Sequence, residues 1–83
     1  MAVTPSAQYS VTIRVEIATR PSDLLGRLTT KIGEVGGDIG AIDVVDTGHE
    51  TVTRELVVNA SDQDHAARIV AAAGEVEGVT VLA

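Results

Sequence analysis

Across residues 10–17 every second position is a β-branched aliphatic: Val11, Ile13, Val15 and Ile17 alternate with Ser10, Thr12, Arg14 and Glu16. A period of two puts the first set on one face of an extended chain and the second on the other, which is the mark of a half-buried strand. A helix would scatter the same residues around its circumference. The chain must therefore build a sheet with one apolar face, and the rest of the sequence must cover it.

The alternation stops at Thr19-Arg20-Pro21-Ser22-Asp23. Pro21 suits the first turn of a helix, where its missing N–H has no partner to lose. Ser22 or Thr19 can cap, and Asp23 complements the positive helix end. Leu24, Leu25, Leu28, Ile32 and Val35 then recur at steps of three and four, giving one apolar stripe. Gly36-Gly37 ends that helix. Residues 38–46 read as a second strand with Ile42 and Val44 facing inward. Thr47-Gly48-His49-Glu50 reads as a turn, and residues 51–59 as a third strand in which Val52, Leu56 and Val58 share a face. Two such runs joined by a short turn make an antiparallel hairpin. Ser61 is expected to cap a second helix, with Asp64 as the returning acid of a capping box. Ala66, Ile69, Val70 and Ala73 form its stripe, Gly74 or Gly78 ends it, and residues 79–82 supply a last short strand. The order is strand, helix, strand, strand, helix, strand. The fold expected is α+β, a ferredoxin-like βαββαβ arrangement: a four-stranded antiparallel sheet with two helices on one face. Residues 1–8 (MAVTPSAQ), small and polar, read as a flexible leader, and residues 9–83 as the one domain.

Composition narrows the function. The chain has 83 residues, 12 acidic against 6 basic, and a net charge of -6. That balance repels a phosphate backbone and argues against nucleic acid as a partner. There is no cysteine, hence no disulfide, thiol nucleophile or Cys-zinc site. No apolar run approaches the roughly 20 residues that span a bilayer, and the first ten residues lack the basic and apolar regions of a signal peptide. The expected setting is cytoplasmic, with no membrane partner. A domain this small buries only about 60% of the surface of its unfolded chain, so a partner surface would help it.

Many functions use this fold. An RNA-binding version stacks bases on sheet aromatics, and this chain has only Tyr9, ahead of the first alternation. A metal chaperone would need cysteines in the first loop. A small phosphatase would need a glycine-lined phosphate loop there, and Arg20 is the only cation present. Gly33, Gly36, Gly37 and Gly40 suggest a nucleotide fingerprint, but they follow a helix and enter a strand, the reverse of the polarity that aims a helix N-terminus at phosphate. They read as a helix stop with close backbone packing. Asp43 and Asp46, three apart on a strand, are expected on opposite faces and so not as an acid–base pair. His49 and His65 have no Cys or His partner nearby and read as surface residues rather than metal ligands. No serine–histidine–acid set is present. The chain is expected to have no catalytic residue, metal or cofactor.

What remains resembles the ACT family, over nearly the whole chain. The stretch Thr19-Arg20-Pro21-Ser22-Asp23-Leu24-Leu25 is similar to the loop and first helical turn of ACT domains, and Gly36-Gly37-Asp38-Ile39-Gly40 to their glycine-rich start of the second strand. The runs IGEVGGDIGAIDVVD, VVNASDQDHAARIV and GVTVL look like the N-terminal ACT-like domain of bacterial NAD-dependent malic enzymes. The resemblance implies a regulatory domain that binds a small-molecule effector such as an amino or organic acid. It would pair as a homodimer and act on the catalytic domain of a larger chain. The implied ligand-binding residues are Arg20, Pro21, Ser22, Asp23, Leu24 and Leu25 with Gly37, Asp38, Ile39, Gly40 and Ala41. Arg20 would hold a carboxylate, or is a solvated loop arginine; Asp38 would meet an amino group, or is a turn residue. Ser22 stands where the family usually has glycine. Its side chain either crowds the ligand or caps the helix, and this keeps open a purely structural dimerisation module.

Overall fold

The computed structural model describes residues 6–82. The elements run β1 (Ser6–Ala18), α1 (Leu24–Glu34), β2 (Asp38–Thr47), β3 (Thr51–Ala60), α2 (Gln63–Gly74) and β4 (Val79–Val81). The four strands form one antiparallel sheet in the order β2-β3-β1-β4. This is the expected ferredoxin-like βαββαβ fold.

The alternation of β1 fixes the register. Ile13 faces Leu56, Val15 faces Arg54 and Val81, and Ile17 faces Val52 and Val79. These residues point toward the helices, where Ile13, Val15, Ile17, Leu56 and Val58 are buried. Leu24, Leu28 and Ile32 of α1 and Ala66, Ile69 and Ala73 of α2 close the core from above. Both apolar stripes thus lie where their spacing puts them, with Leu25, Val35 and Val70 half-buried at the margins. On the opposite face Arg14 and Glu55 make a cross-strand ion pair at 3.0 Å.

The glycine pair after α1 acts as helix stop and packing site. Gly36 takes the left-handed conformation at φ 81, and the Gly37 amide donates to the Ile32 carbonyl at 2.9 Å. A Cβ on Gly37 would lie 2.7 Å from Ile32 Cγ2 and 3.0 Å from Val58 Cγ1, so the backbone there passes directly over the core.

Several expectations change. β1 starts at Ser6, so Ser6, Ala7 and Gln8 of the expected leader belong to the strand, as does Tyr9. Residues 1–5 and Ala83 lie outside the described residues. Helix α1 starts at Leu24, after Asp23, so Pro21 lies in the loop rather than in the first turn; neither Ser22 nor Thr19 occupies the cap position. Ile42 and Val44 do lie on the helix side, opposite Leu56 and Arg54, yet they are exposed at 37% and 55%. The helices cover the central strands and stop short of the β2 edge, where only Ile39 reaches the core. A bulge between Val44 and Asp46 brings Asp43 opposite Glu55 and Asp46 opposite Thr53. Those partners are two apart on β3, so both aspartates share the outer face after all.

His65 is the largest departure. It is fully buried, the one buried polar side chain among the described residues. Asp62, not Ser61, caps α2, its Oδ1 accepting from the His65 amide at 2.8 Å. The His65 ring turns back, Nδ1 accepting from the Ser61 amide at 2.9 Å and Nε2 donating to the Val35 carbonyl at 2.7 Å. This pair of partners assigns the ring proton to Nε2. Histidine thus takes the part expected of Asp64 and ties α2 to the end of α1.

Candidate functional site

The segment between β1 and α1 is pinned at its start by two backbone hydrogen bonds. The Ala18 amide donates to the Gly78 carbonyl at 3.0 Å, and the Thr19 amide to the Glu50 carbonyl at 2.8 Å. The Thr19 hydroxyl donates to the same Glu50 oxygen at 3.2 Å. The loop is therefore held against both the β2–β3 turn and the chain leading into β4. Pro21, with its restricted φ, carries it over to α1.

Beneath this loop lies a cleft of about 190 Å³, lined by Ile17, Ala18, Thr19, Pro21, Ser22, Leu24, Leu25, Val52 and Arg54. Ile17 and Leu24 form a buried apolar floor, at 4% and 2% exposure. Exposed Thr19, Pro21 and Ser22 stand at the opening, and half-buried Arg54 is the only charged group in the lining. The first turn of α1 has no side-chain cap, because Asp23 instead pairs with Arg27 at 2.9 Å. Its free amides leave the positive end of the helix beside the cleft.

Of the residues the sequence singled out, Pro21, Ser22, Leu24 and Leu25 line this cleft. Arg20 does not; it borders two neighbouring grooves, one with Thr19, His49 and Glu50, the other with Arg27 and Glu77. Asp23 turns to Arg27 on the outer side of α1. Gly37, Asp38, Ile39, Gly40 and Ala41 lie at the far end of α1, whose 11 residues span about 16 Å at 1.5 Å each. The two halves of the expected site are thus separated within one chain by the helix between them. Asp38 accepts from Asn59 Nδ2 at 3.3 Å, and Gly37 is occupied by core packing.

The cleft also holds Ile17, Ala18, Thr19, Val52 and Arg54, which sequence reading did not assign to a site. A signal for Arg54 was present. The inward row of β3 runs Val52, Arg54, Leu56, Val58, with a cation in a position otherwise reserved for aliphatics. Among the described residues no group of three His, Asp or Glu side chains gathers as a metal site, and no helix is long and apolar enough to cross a membrane.

No family model matches the chain. Over 61 residues, 74% of its length, it is 33% identical to NAD-dependent malic enzyme 1 of Bacillus subtilis, of which that stretch makes up 14%. In three dimensions, 89% of the chain superimposes on 97% of the ACT domain from the GTP pyrophosphokinase of Chlorobium tepidum, with a TM-score of 0.69 and 17% identity. The structural likeness carries the fold, and the sequence likeness carries the relationship. The chain is an ACT-fold domain, related in sequence to a segment of an NAD-dependent malic enzyme.

Proposed function

We propose that this chain is a cytoplasmic regulatory domain that binds a small amino or organic acid in the cleft between β1 and α1. It would act as the N-terminal regulatory part of a malate-oxidising, NAD-dependent enzyme and have no catalytic residues of its own. The cleft is the observation that carries this reading. It combines an apolar floor, hydroxyls at its mouth and a single cation, the pattern of a site that orients a small polar molecule by a few groups. The match to a malic enzyme over 74% of the chain supports the assignment to such a parent. Ligand bound in the cleft would favour one geometry of pairing between copies of the domain, and so shift the catalytic part attached to it.

A thermal-shift screen of amino acids and dicarboxylic and monocarboxylic acids, with light scattering alongside, tests the reading. A selective rise in melting temperature is the expected result; a flat profile across the panel would remove the sensor.

The second reading, a structural dimerisation module without ligand, is favoured by β2. This ten-residue edge strand is exposed at every position except Ile39. Its free backbone ladder and the apolar side chains of Ile42, Val44 and Val45 would suit pairing with a second copy. A chain that stays monomeric at high concentration in light scattering would exclude it.

A further inference from the structure

Arg54 is the one charged residue in the inward row of β3, and it is half-buried there. Its neighbours across the sheet are Val15 on β1 and Val44 on β2, and along its own strand Val52 and Leu56 flank it on the same face. A guanidinium set among aliphatic side chains ordinarily has a carboxylate beside it, because unpaired charge against apolar surface is unfavourable. Among the described residues the ion pairs are Arg14–Glu55 and Arg27–Asp23, and Arg54 enters neither. No Asp or Glu lines the cleft it borders, although acidic residues outnumber basic ones 12 to 6 in the chain.

We propose that the cleft takes a small monocarboxylate with an aliphatic body. The Arg54 guanidinium holds the carboxylate, and Ile17, Leu24, Leu25 and Val52 hold the hydrocarbon part. The proposal rests on the ligand-binding reading above and narrows its ligand class. Arginine offers a planar fork of donors that matches a carboxylate in a bidentate pair. A dicarboxylate would find no second cation in the lining for its other charge, only the Thr19 and Ser22 hydroxyls and the uncapped first turn of α1, which are weaker partners than a guanidinium. The ammonium of an amino acid would likewise find no acid in the lining. Size agrees: about 190 Å³ is below the roughly 300–1,000 Å³ of pockets that hold drug-sized ligands, which suits a short-chain acid.

The test is a titration of the isotope-labelled chain with isovalerate, succinate, leucine and inorganic phosphate, followed by amide chemical shifts. Isovalerate is expected to move the amides of residues 18–25 and of Arg54, and to bind more tightly than the other three. Arg54→Gln should weaken isovalerate by about tenfold to a hundredfold, the range of a charge-assisted pair. Arg54→Lys, which keeps the charge and loses the fork, should retain part of the affinity. Well-dispersed spectra of both variants establish that they are folded. Isovalerate binding to the loop amides with equal affinity in Arg54→Gln overturns the anchor while leaving the cleft as a ligand site. Tighter binding of succinate or leucine overturns the ligand class. No response to any of the four overturns the ligand-binding reading itself.

Discussion

His65 is held between two backbone groups that lie far apart in sequence, the Ser61 amide and the Val35 carbonyl. Both ring nitrogens are engaged and the side chain is wholly buried, so replacing it removes two hydrogen bonds and opens a hole together. His65→Ala is expected to destabilise the fold by about 2–4 kcal/mol, as read by urea denaturation. Arg54 is the converse case. It is half-buried, stands opposite Val15 and Val44, and has no ion-pair partner among the described residues, an arrangement that contributes little to stability and suits a binding group. Arg54→Leu should therefore leave stability unchanged or raise it by up to about 1 kcal/mol, while ligand-induced stabilisation is lost. A clear drop in the denaturation midpoint would instead assign Arg54 a structural role.

Among the elements, Gly37 shows how closely the start of β2 is pressed on the core. A methyl group there meets Ile32 and Val58, both fully buried. Gly37→Ala is expected to lower stability by about 1–3 kcal/mol through overpacking, measured by the same denaturation. The elements themselves were largely legible in the sequence. Strict alternation in β1, stripes at steps of three and four in both helices, and glycine stops each report on the chain's own periodicity, and all six elements follow from them. Less legible were features set by neighbours. Ile42 and Val44 have the right parity for a core position, but whether a helix extends over them depends on the sheet's width. The bulge that unites Asp43 and Asp46 on one face is a property of the β2–β3 ladder. For the site, Pro21, Ser22, Leu24 and Leu25 came from the loop itself, whereas Arg54 arrives from β3 and was hidden by its separation in sequence. The reach of α1 removed residues 37–41 from the same cleft.

At the scale of the whole fold, the described residues form a sheet that they cover on one face only, with a short edge at β4 and a long one at β2. If copies pair through β2, the exposed side chains of that strand lie at the seam, and Val44, 55% exposed, is a suitable probe. Val44→Lys is expected to shift light-scattering mass toward the monomer while leaving the unfolding free energy of the monomer within about 0.5 kcal/mol, as for an ordinary surface change. Asp43 and Asp46 on the same strand would repel their counterparts in a second copy. Added salt should then strengthen the pairing rather than weaken it.

The place of β1 also has a consequence in time. It lies in the middle of the sheet, and both its neighbours, β3 and β4, come later in the chain. Synthesis at ~5–20 residues per second would deliver β4 about 3–12 s after β1 is complete. Until then the row of Val11, Ile13, Val15 and Ile17 has no finished sheet to enter. The interval in which a new chain can pair with its neighbour instead of with itself is set by how fast the second half of the sequence arrives.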